Sequence, residues 1–224
     1  INIMVKTEDV CVCIPALNEE KSISKVIDSV HSAGYNNILV IDGGSTDETI
    51  GIVERNEHAK LHRQQIKGGK GSAIREAFQI TDENIIVFID ADQTYEAKDT
   101  DKLVRMVQEE GYDHVLANRF SDIKEGAMSR SHVIGNKFFN RIFQLLHGEN
   151  CKDILTGFRA IDRDAYEGME LESEGFEIET ELMIESVKNN HKIGIVPSKY
   201  YERGGESKLS GFADGAKIAK KVIK

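Results

Sequence analysis

The sequence predicts an α/β fold: an open, mostly parallel, Rossmann-like sheet flanked by helices, in a single domain. Three observations carry this reading. Short apolar runs alternate with amphipathic stretches of helical period through the first half of the chain. The run Ile85-Ile86-Val87-Phe88-Ile89 has no polar alternation, the mark of a strand covered on both faces. There is no internal repeat and no low-complexity tract, and the two prolines, Pro15 and Pro197, sit far apart, so nothing reads as a linker between domains.

Taken in order, Val10 to Ile14 reads as a buried strand, followed by a helix with Ile23, Val26, Ile27 and Val30 on one face. Asn37 to Asp42 is the second strand, and Ser45-Thr46-Asp47-Glu48 reads as a capping box that opens a helix through Arg55. A strand at Lys60 to Arg63 precedes Lys67-Gly68-Gly69-Lys70-Gly71 and a helix through Ile80. After the strand at Asn84 to Ile89 come a helix over Thr100 to Glu110 and a strand over His114 to Asn118. Ser121 to Arg130 reads as a loop. The next helix, His132 to His147, should bury Phe138, Phe139, Ile142, Phe143 and Leu146. A strand at Phe158 to Ile161, a helix at Thr180 to Asn189, a strand at Lys192 to Val196 and a basic amphipathic tail helix from Phe212 complete the chain.

Composition narrows the function. With 224 residues, 40% hydrophobic and 30% charged, a packed core is expected rather than global disorder. The net charge of -9 disfavours nucleic acid as the main partner. No run is long and apolar enough for a membrane span, and Ile1 to Val10 lacks a signal-peptide pattern, so the expectation is a cytoplasmic chain. It begins at Ile1 rather than Met, which leaves open residues beyond either end. Three cysteines, Cys11, Cys13 and Cys151, suit a reducing compartment, with the first two as small core residues on one strand face.

Four clusters carry chemistry. Asp90-Ala91-Asp92 stands at the carboxyl end of the apolar strand, where open α/β sheets bind ligands. Two carboxylates there can share a hard divalent cation, or form a solvated acidic turn. Pro15-Ala16-Leu17-Asn18-Glu19 follows the first strand and Asp42-Gly43-Gly44-Ser45-Thr46-Asp47 ends the second. In a doubly wound sheet their polar groups converge on one crevice, although each is also ordinary turn and cap chemistry. The segment around Lys70 lacks the order of a P-loop, but a glycine-rich helix start with a lysine can approach a phosphate.

In this order, Ile14 to Glu19, Val40 to Asp47, Lys70-Gly71 and Asp90-Ala91-Asp92 resemble the family 2 glycosyltransferases of GT-A fold. Asn118-Arg119-Phe120, Gly135-Asn136, Asp153 to Ala160, Phe176 to Glu181, and Arg203 with Gly205 to Lys208 narrow the resemblance to polyprenyl- or dolichyl-phosphate sugar synthases of the dolichyl-phosphate mannose synthase type. The likeness runs from about residue 10 to residue 211. It implies a nucleotide-sugar half over 10–118, an acceptor half over 119–210 and the tail helix over 211–224.

The resemblance further implies a Mg²⁺- or Mn²⁺-dependent inverting transfer from a nucleotide-diphosphate sugar to a polyprenyl (dolichyl) phosphate. Pro15, Ala16, Asn18, Glu19 and Asp42 would hold base and ribose, Lys70 the nucleotide, and Asp90 and Asp92 the metal. Arg119, Arg130 and Arg203 would face the acceptor phosphate, with Ser207, Lys208 and Glu177 on the acceptor side. The chain has Asp42-Gly43 where the dolichyl-mannose enzymes usually carry two acids, and Thr94 where they often carry a metal-binding Gln. The first departure favours a UDP-sugar, UDP-glucose or UDP-N-acetylglucosamine, over GDP-mannose. A hydroxyl acceptor, with Glu177 as base, and a nucleotide-binding regulatory module are the competing readings. The basic tail is expected to lean on the cytoplasmic face of a membrane, or to dock on its own domain.

Overall fold

A computed structural model describes residues 5–66, 68–204 and 211–223. The chain builds one seven-stranded sheet from β1 (Val10–Ala16), β2 (Ile38–Asp42), β3 (Ala59–Arg63), β4 (Ile85–Phe88), β5 (His114–Ile123), β6 (Arg159–Asp162) and β7 (Ile193–Tyr200), in the order β3-β2-β1-β4-β6-β5-β7. β6 runs antiparallel to β4 and β5, and every other pairing is parallel. β2 and β4 flank β1 on opposite sides, so the strand order reverses there and a crevice opens at the carboxyl ends.

The helices are α1 (Ile23–Ser32), α2 (Thr49–Glu54), α3 (Lys70–Ile80), α4 (Thr100–Glu110), α5 (Arg130–His147), α6 (Arg163–Glu167), α7 (Ile178–Lys188) and α8 (Gly211–Ile223). The period-2 pleat of each central strand divides its side chains between two cores. Val10, Val12 and Ile14 of β1 pack on one face with Val26, Ile27 and Val30 of α1 and Leu103, Val104 and Val107 of α4. Cys11 and Cys13 point to the other, with Ala73, Ile74 and Phe78 of α3 and Leu182 of α7. Both thiols are buried and free, so they serve as small core residues. A third cluster joins α5, α7 and α8 through Phe143, Met183, Ile218 and Val222.

Three local expectations change, and one of the two alternatives for the tail is met. The helix after β2 starts at Thr49, because Asp47 Oδ1 accepts from the Thr49 amide and hydroxyl at its start. Ser45 is not its cap, since its hydroxyl accepts from the Asn18 amide across the strand ends. β5 runs on to Ile123 through the segment read as a loop, because β7 pairs with it along its length, with an irregularity between Asn118 and Asp122. β7 is an edge strand, which is why it tolerates Pro197. On α5 only Phe143 of the expected apolar face is buried, while Phe138 and Leu146 are exposed. Finally, the tail docks on its own domain. Ile218 and Val222 are buried, and Lys221 pairs with Glu181 at 2.5 Å.

Candidate active site

A cavity of about 240 Å³ opens at the carboxyl ends of β1, β2 and β4. Pro15, Ala16, Glu19, Lys70, Asp90, Asp92, Arg119 and Arg203 all line it, so most of the residues read from the sequence converge here. The strand register explains the convergence, since Ala16 lies opposite Asp42 and Cys13 opposite Phe88.

Two cations hold the carboxylates. Lys70 Nζ lies 2.5 Å from Asp90 Oδ1 and 2.6 Å from Glu179 Oε1. Burial opposes the Lys70 charge, but these two carboxylates hold its pKa above the ordinary lysine value. Burial likewise opposes charge on Asp90, and Lys70 overrides it, keeping that carboxyl below the usual range. Asp92 goes the other way, raised by burial and by the charge of Asp90. Asp92 Oδ1 accepts from the Thr94 amide at 3.1 Å and its hydroxyl at 2.6 Å. Arg203 bridges Asp92 Oδ2, at 3.1 Å, and Glu19 Oε1, at 2.5 Å. The Gly204 amide donates to the Asp92 carbonyl and the Tyr201 amide to that of Thr94, so the segment after β7 is stitched to the acidic turn. Gly157 is required where it stands, because a Cβ there would run into the Asp90 carboxylate.

The far wall carries Arg119. Its guanidinium makes two hydrogen bonds to Asp153, both 2.7 Å, and a third to Asn136 Oδ1 on α5 at 3.1 Å. It lies 5.4 Å from the centre of the Tyr200 ring. Asp153 is fully buried. Burial opposes the Arg119 charge and Asp153 outweighs it, so the arginine stays charged.

Several residues sit elsewhere than expected. Asn18 links the β1 and β2 turns, its Oδ1 accepting from the Thr46 amide at 2.7 Å, and does not line the cavity. Asp42 stands just behind the lining residues Ile41 and Gly43. Its Oδ2 accepts from the amides of Gly44 and Ser45, while Oδ1 is buried without a partner. The start of α3 is not an open phosphate site, because the amides of Gly71 and Ser72 already donate to the Glu174 carbonyl. The Lys70 ammonium is the cation that lines the cavity there. Arg130 is exposed at the first residue of α5 and lies outside the cavity lining. Glu177 also lies outside it, its Oε1 accepting from the Gly175 amide. Ser207 and Lys208 lie outside the described residues.

From the sequence, Glu177 and Glu179 are expected to position substrate, whereas Gln64 has no expected place in the site. Three acids at positions 177, 179 and 181 open α7, and only the fold shows that the middle one meets Lys70. Gln64 follows β3 and lines the cavity. Its Nε2 donates to the carbonyls of Ile66 and Gly68, leaving Oε1 as a buried, unpaired acceptor.

Among the described residues no group of three or more His, Cys, Asp or Glu is arranged to hold a metal alone. Asp90 and Asp92 nevertheless form a hard-oxygen donor pair, and such a pair fits a divalent ion that takes its other ligands from phosphate oxygens.

Comparison with known proteins agrees with this geometry. Residues 11–169 match the model of Glycosyl transferase family 2. The chain is 41% identical over 219 residues to Glycosyltransferase AglJ of Haloferax volcanii, covering 96% of this chain and 71% of that one. It is 31% identical to the Dolichyl-phosphate hexose transferase of the same organism, covering 97% and 93%. Its fold superposes with a TM-score of 0.78, at 22% identity, on glucosyl-3-phosphoglycerate synthase from Mycobacterium tuberculosis in complex with Mn²⁺, UDP and glucosyl-3-phosphoglycerate, covering 96% of this chain and 78% of that one. The architecture is therefore that of a GT-A-like glycosyltransferase. The chain belongs to glycosyl transferase family 2.

Proposed function

We propose that this glycosyltransferase moves a sugar, with inversion, from a UDP-sugar of the UDP-glucose or UDP-N-acetylglucosamine type to a polyprenyl (dolichyl) phosphate. It would thereby supply lipid-linked sugar for N-glycosylation or cell-surface glycans from the cytoplasmic face of a membrane. The observation that carries the reading is the meeting of the acidic strand ends, Glu19, Asp90 and Asp92, with Lys70, Arg119 and Arg203 in one cavity. A nucleoside diphosphate and a phosphate acceptor both need cations, and the two walls supply them separately.

Asp90 and Asp92 are the residues that would hold Mg²⁺ or Mn²⁺. The ion would neutralise charge that develops on the leaving diphosphate. Lys70 adds a fixed positive charge beside it. The nucleophile is a phosphate oxygen, already ionised near neutral pH, so no side chain has to remove a proton. Glu179 is then a positioning group for Lys70 rather than a base. Arg119, held in one orientation by Asp153, presents a planar cation to the acceptor phosphate. Arg203, on the segment tied to the acidic turn, is the further cation offered to the acceptor phosphate.

The base end supports a nucleobase with a ring N–H, a group that uracil and guanine share, so the preference for uridine rests on Asp42-Gly43 and on the relatives. Gln64 Oε1 and Asp42 Oδ1 are acceptors with no partner, and a base with a ring N–H would satisfy such groups. The relative named for dolichyl phosphate and the UDP-bound fold relative support the same pair of substrates. Calorimetry with UDP and GDP in Mn²⁺ tests the donor assignment. Tighter UDP binding is expected, and tighter GDP binding would overturn it.

A further inference from the structure

The tail helix seats Ile218 and Val222 on the domain and leaves Ile223 exposed, and a wider apolar surface is exposed on α5. Ile134 is 68% exposed, Phe138 59% and Leu145 68%. At about 100° per residue these three fall within about 40° of one another on the helix. Arg130, Lys137 and Arg141, all exposed, fall within about 40° of each other on the adjoining flank. The opposite side of the helix is seated. Phe143 is buried, Asn136 accepts from Arg119, Asn140 donates to the Lys152 carbonyl and His147 lies 2.9 Å from the Val222 carbonyl.

Charge says what covers the outward face. The protein carries a net charge of -9, yet from Gly126 to Gly148 there is no Asp or Glu. An apolar stripe edged by arginine and lysine is the pattern of a helix that lies in a membrane interface, its cations among anionic headgroups. A second copy of the chain fits poorly, since a two-fold contact through this face would bring two sets of the same three cations together.

We infer that the outward face of α5, and not the tail, is the surface that seats this protein on an anionic bilayer. The inference deepens the proposed use of a lipid-linked acceptor and rests on it. Asn136 gives the placement a consequence. The helix that would lie in the headgroups is hydrogen-bonded on its inner side to the arginine assigned to the acceptor phosphate.

The chain contains no tryptophan, so Phe138→Trp creates a single reporter on this face. Ile80→Trp, at an exposed position on α3, is the off-face control. Vesicles of phosphatidylcholine with about 30% phosphatidylglycerol should shift the Phe138→Trp emission to the blue, an effect that strong salt reduces, and leave Ile80→Trp unchanged. Adding Ile134→Glu and Leu145→Glu to Phe138→Trp should weaken partition at least about tenfold. Circular dichroism confirms that these surface variants stay folded. An unchanged Phe138→Trp spectrum, an equal shift in both reporters, or a dimer in solution that the glutamates disperse would each overturn the inference. Because the readout needs no turnover, it is independent of the donor and acceptor assignments. Conversely, sugar transfer to a short, water-soluble polyprenyl phosphate should survive the glutamate changes if the acceptor reading holds.

Discussion

On the β1–β4 side of the cavity the functional groups are carboxylates at strand ends, and on the β5–β7 side the central group is a buried arginine locked to an aspartate. The first wall is parallel sheet, and its groups stand where the chain leaves each strand. Glu19 follows β1, and Asp90 and Asp92 follow β4. The second wall includes the antiparallel strand β6, and its main group, Arg119, is oriented by residues 17 and 34 positions away. The two walls are joined by cations that cross the cavity. Lys70 reaches from Asp90 to Glu179, and Arg203 reaches from beyond β7 back to Glu19 and Asp92. The difference is between strand-end carboxylates that meet cations from other elements and an arginine spent on a pair within its own wall.

The largest effect should come from the acidic wall. Asp92→Ala should reduce transfer to background while circular dichroism and melting temperature stay close to wild type, because the side chain bonds mainly to Thr94 and Arg203 of the site. EDTA should have the same effect, reversed by added Mn²⁺. Full activity in EDTA would contradict a metal role for the pair.

Arg119 breaks the comparison differently. Arg119→Ala leaves Asp153 fully buried without its partner, which should cost about 3–5 kcal/mol of stability as well as activity. The double variant Arg119→Ala/Asp153→Ala should recover much of the melting temperature and UDP binding without recovering transfer. Recovery of both would make the arginine purely structural. Arg203→Ala should be milder, since its pairs are partly exposed. Loss of one charge-assisted contact, roughly 1.5–3 kcal/mol, corresponds to about ten- to a hundredfold in turnover, with a smaller change in UDP affinity. Equal losses in both would place it on the donor side.

The smallest effect concerns stability and pH behind the acceptor wall. His114 is buried, and burial, followed by the charge of Arg159, holds its pKa well below the usual histidine value. Its Nε2 faces Arg159, so the neutral ring carries its hydrogen on Nδ1, toward Ser186 Oγ. Above the unfolded value of about 6.5 neither state is charged and the residue contributes no pH dependence. Below it only the unfolded chain takes up the proton, so stability falls by at most about 1.4 kcal/mol per pH unit until the folded pKa is reached. Denaturant melts between pH 7 and 5 should show a shallower decline for His114→Asn than for wild type. Identical slopes would mean that the ring is charged in the folded state.

The contrast between the walls also explains what the sequence revealed. The parallel half was legible because each buried strand is an apolar run and each ligand group follows one directly. Val10 to Ile14 and Ile85 to Ile89 thus located Glu19 and Asp90 without knowledge of any tertiary contact. The β5–β7 half depends on pairings between distant residues. Nothing local marks Asp153 as the partner of Arg119, or selects Glu179 over Glu177. On α5 the apolar period placed Phe143 in a core, with Phe139 and Ile142 packed against it, but Phe138 and Leu146 stay exposed. Periodicity identifies a face and leaves open what covers it.

The proposed reaction passes a sugar from UDP to a phosphate on a polyprenol. The most direct measurement incubates the protein with Mn²⁺ and radiolabelled UDP-glucose, UDP-N-acetylglucosamine or GDP-mannose, each with polyprenyl phosphate or with free polyprenol, and counts label in the organic extract. Extractable label is expected from a UDP-sugar, only with the phosphorylated lipid, and none after Asp92→Ala. Label that appears equally with free polyprenol, or that remains in water on a soluble hydroxyl acceptor, would contradict it.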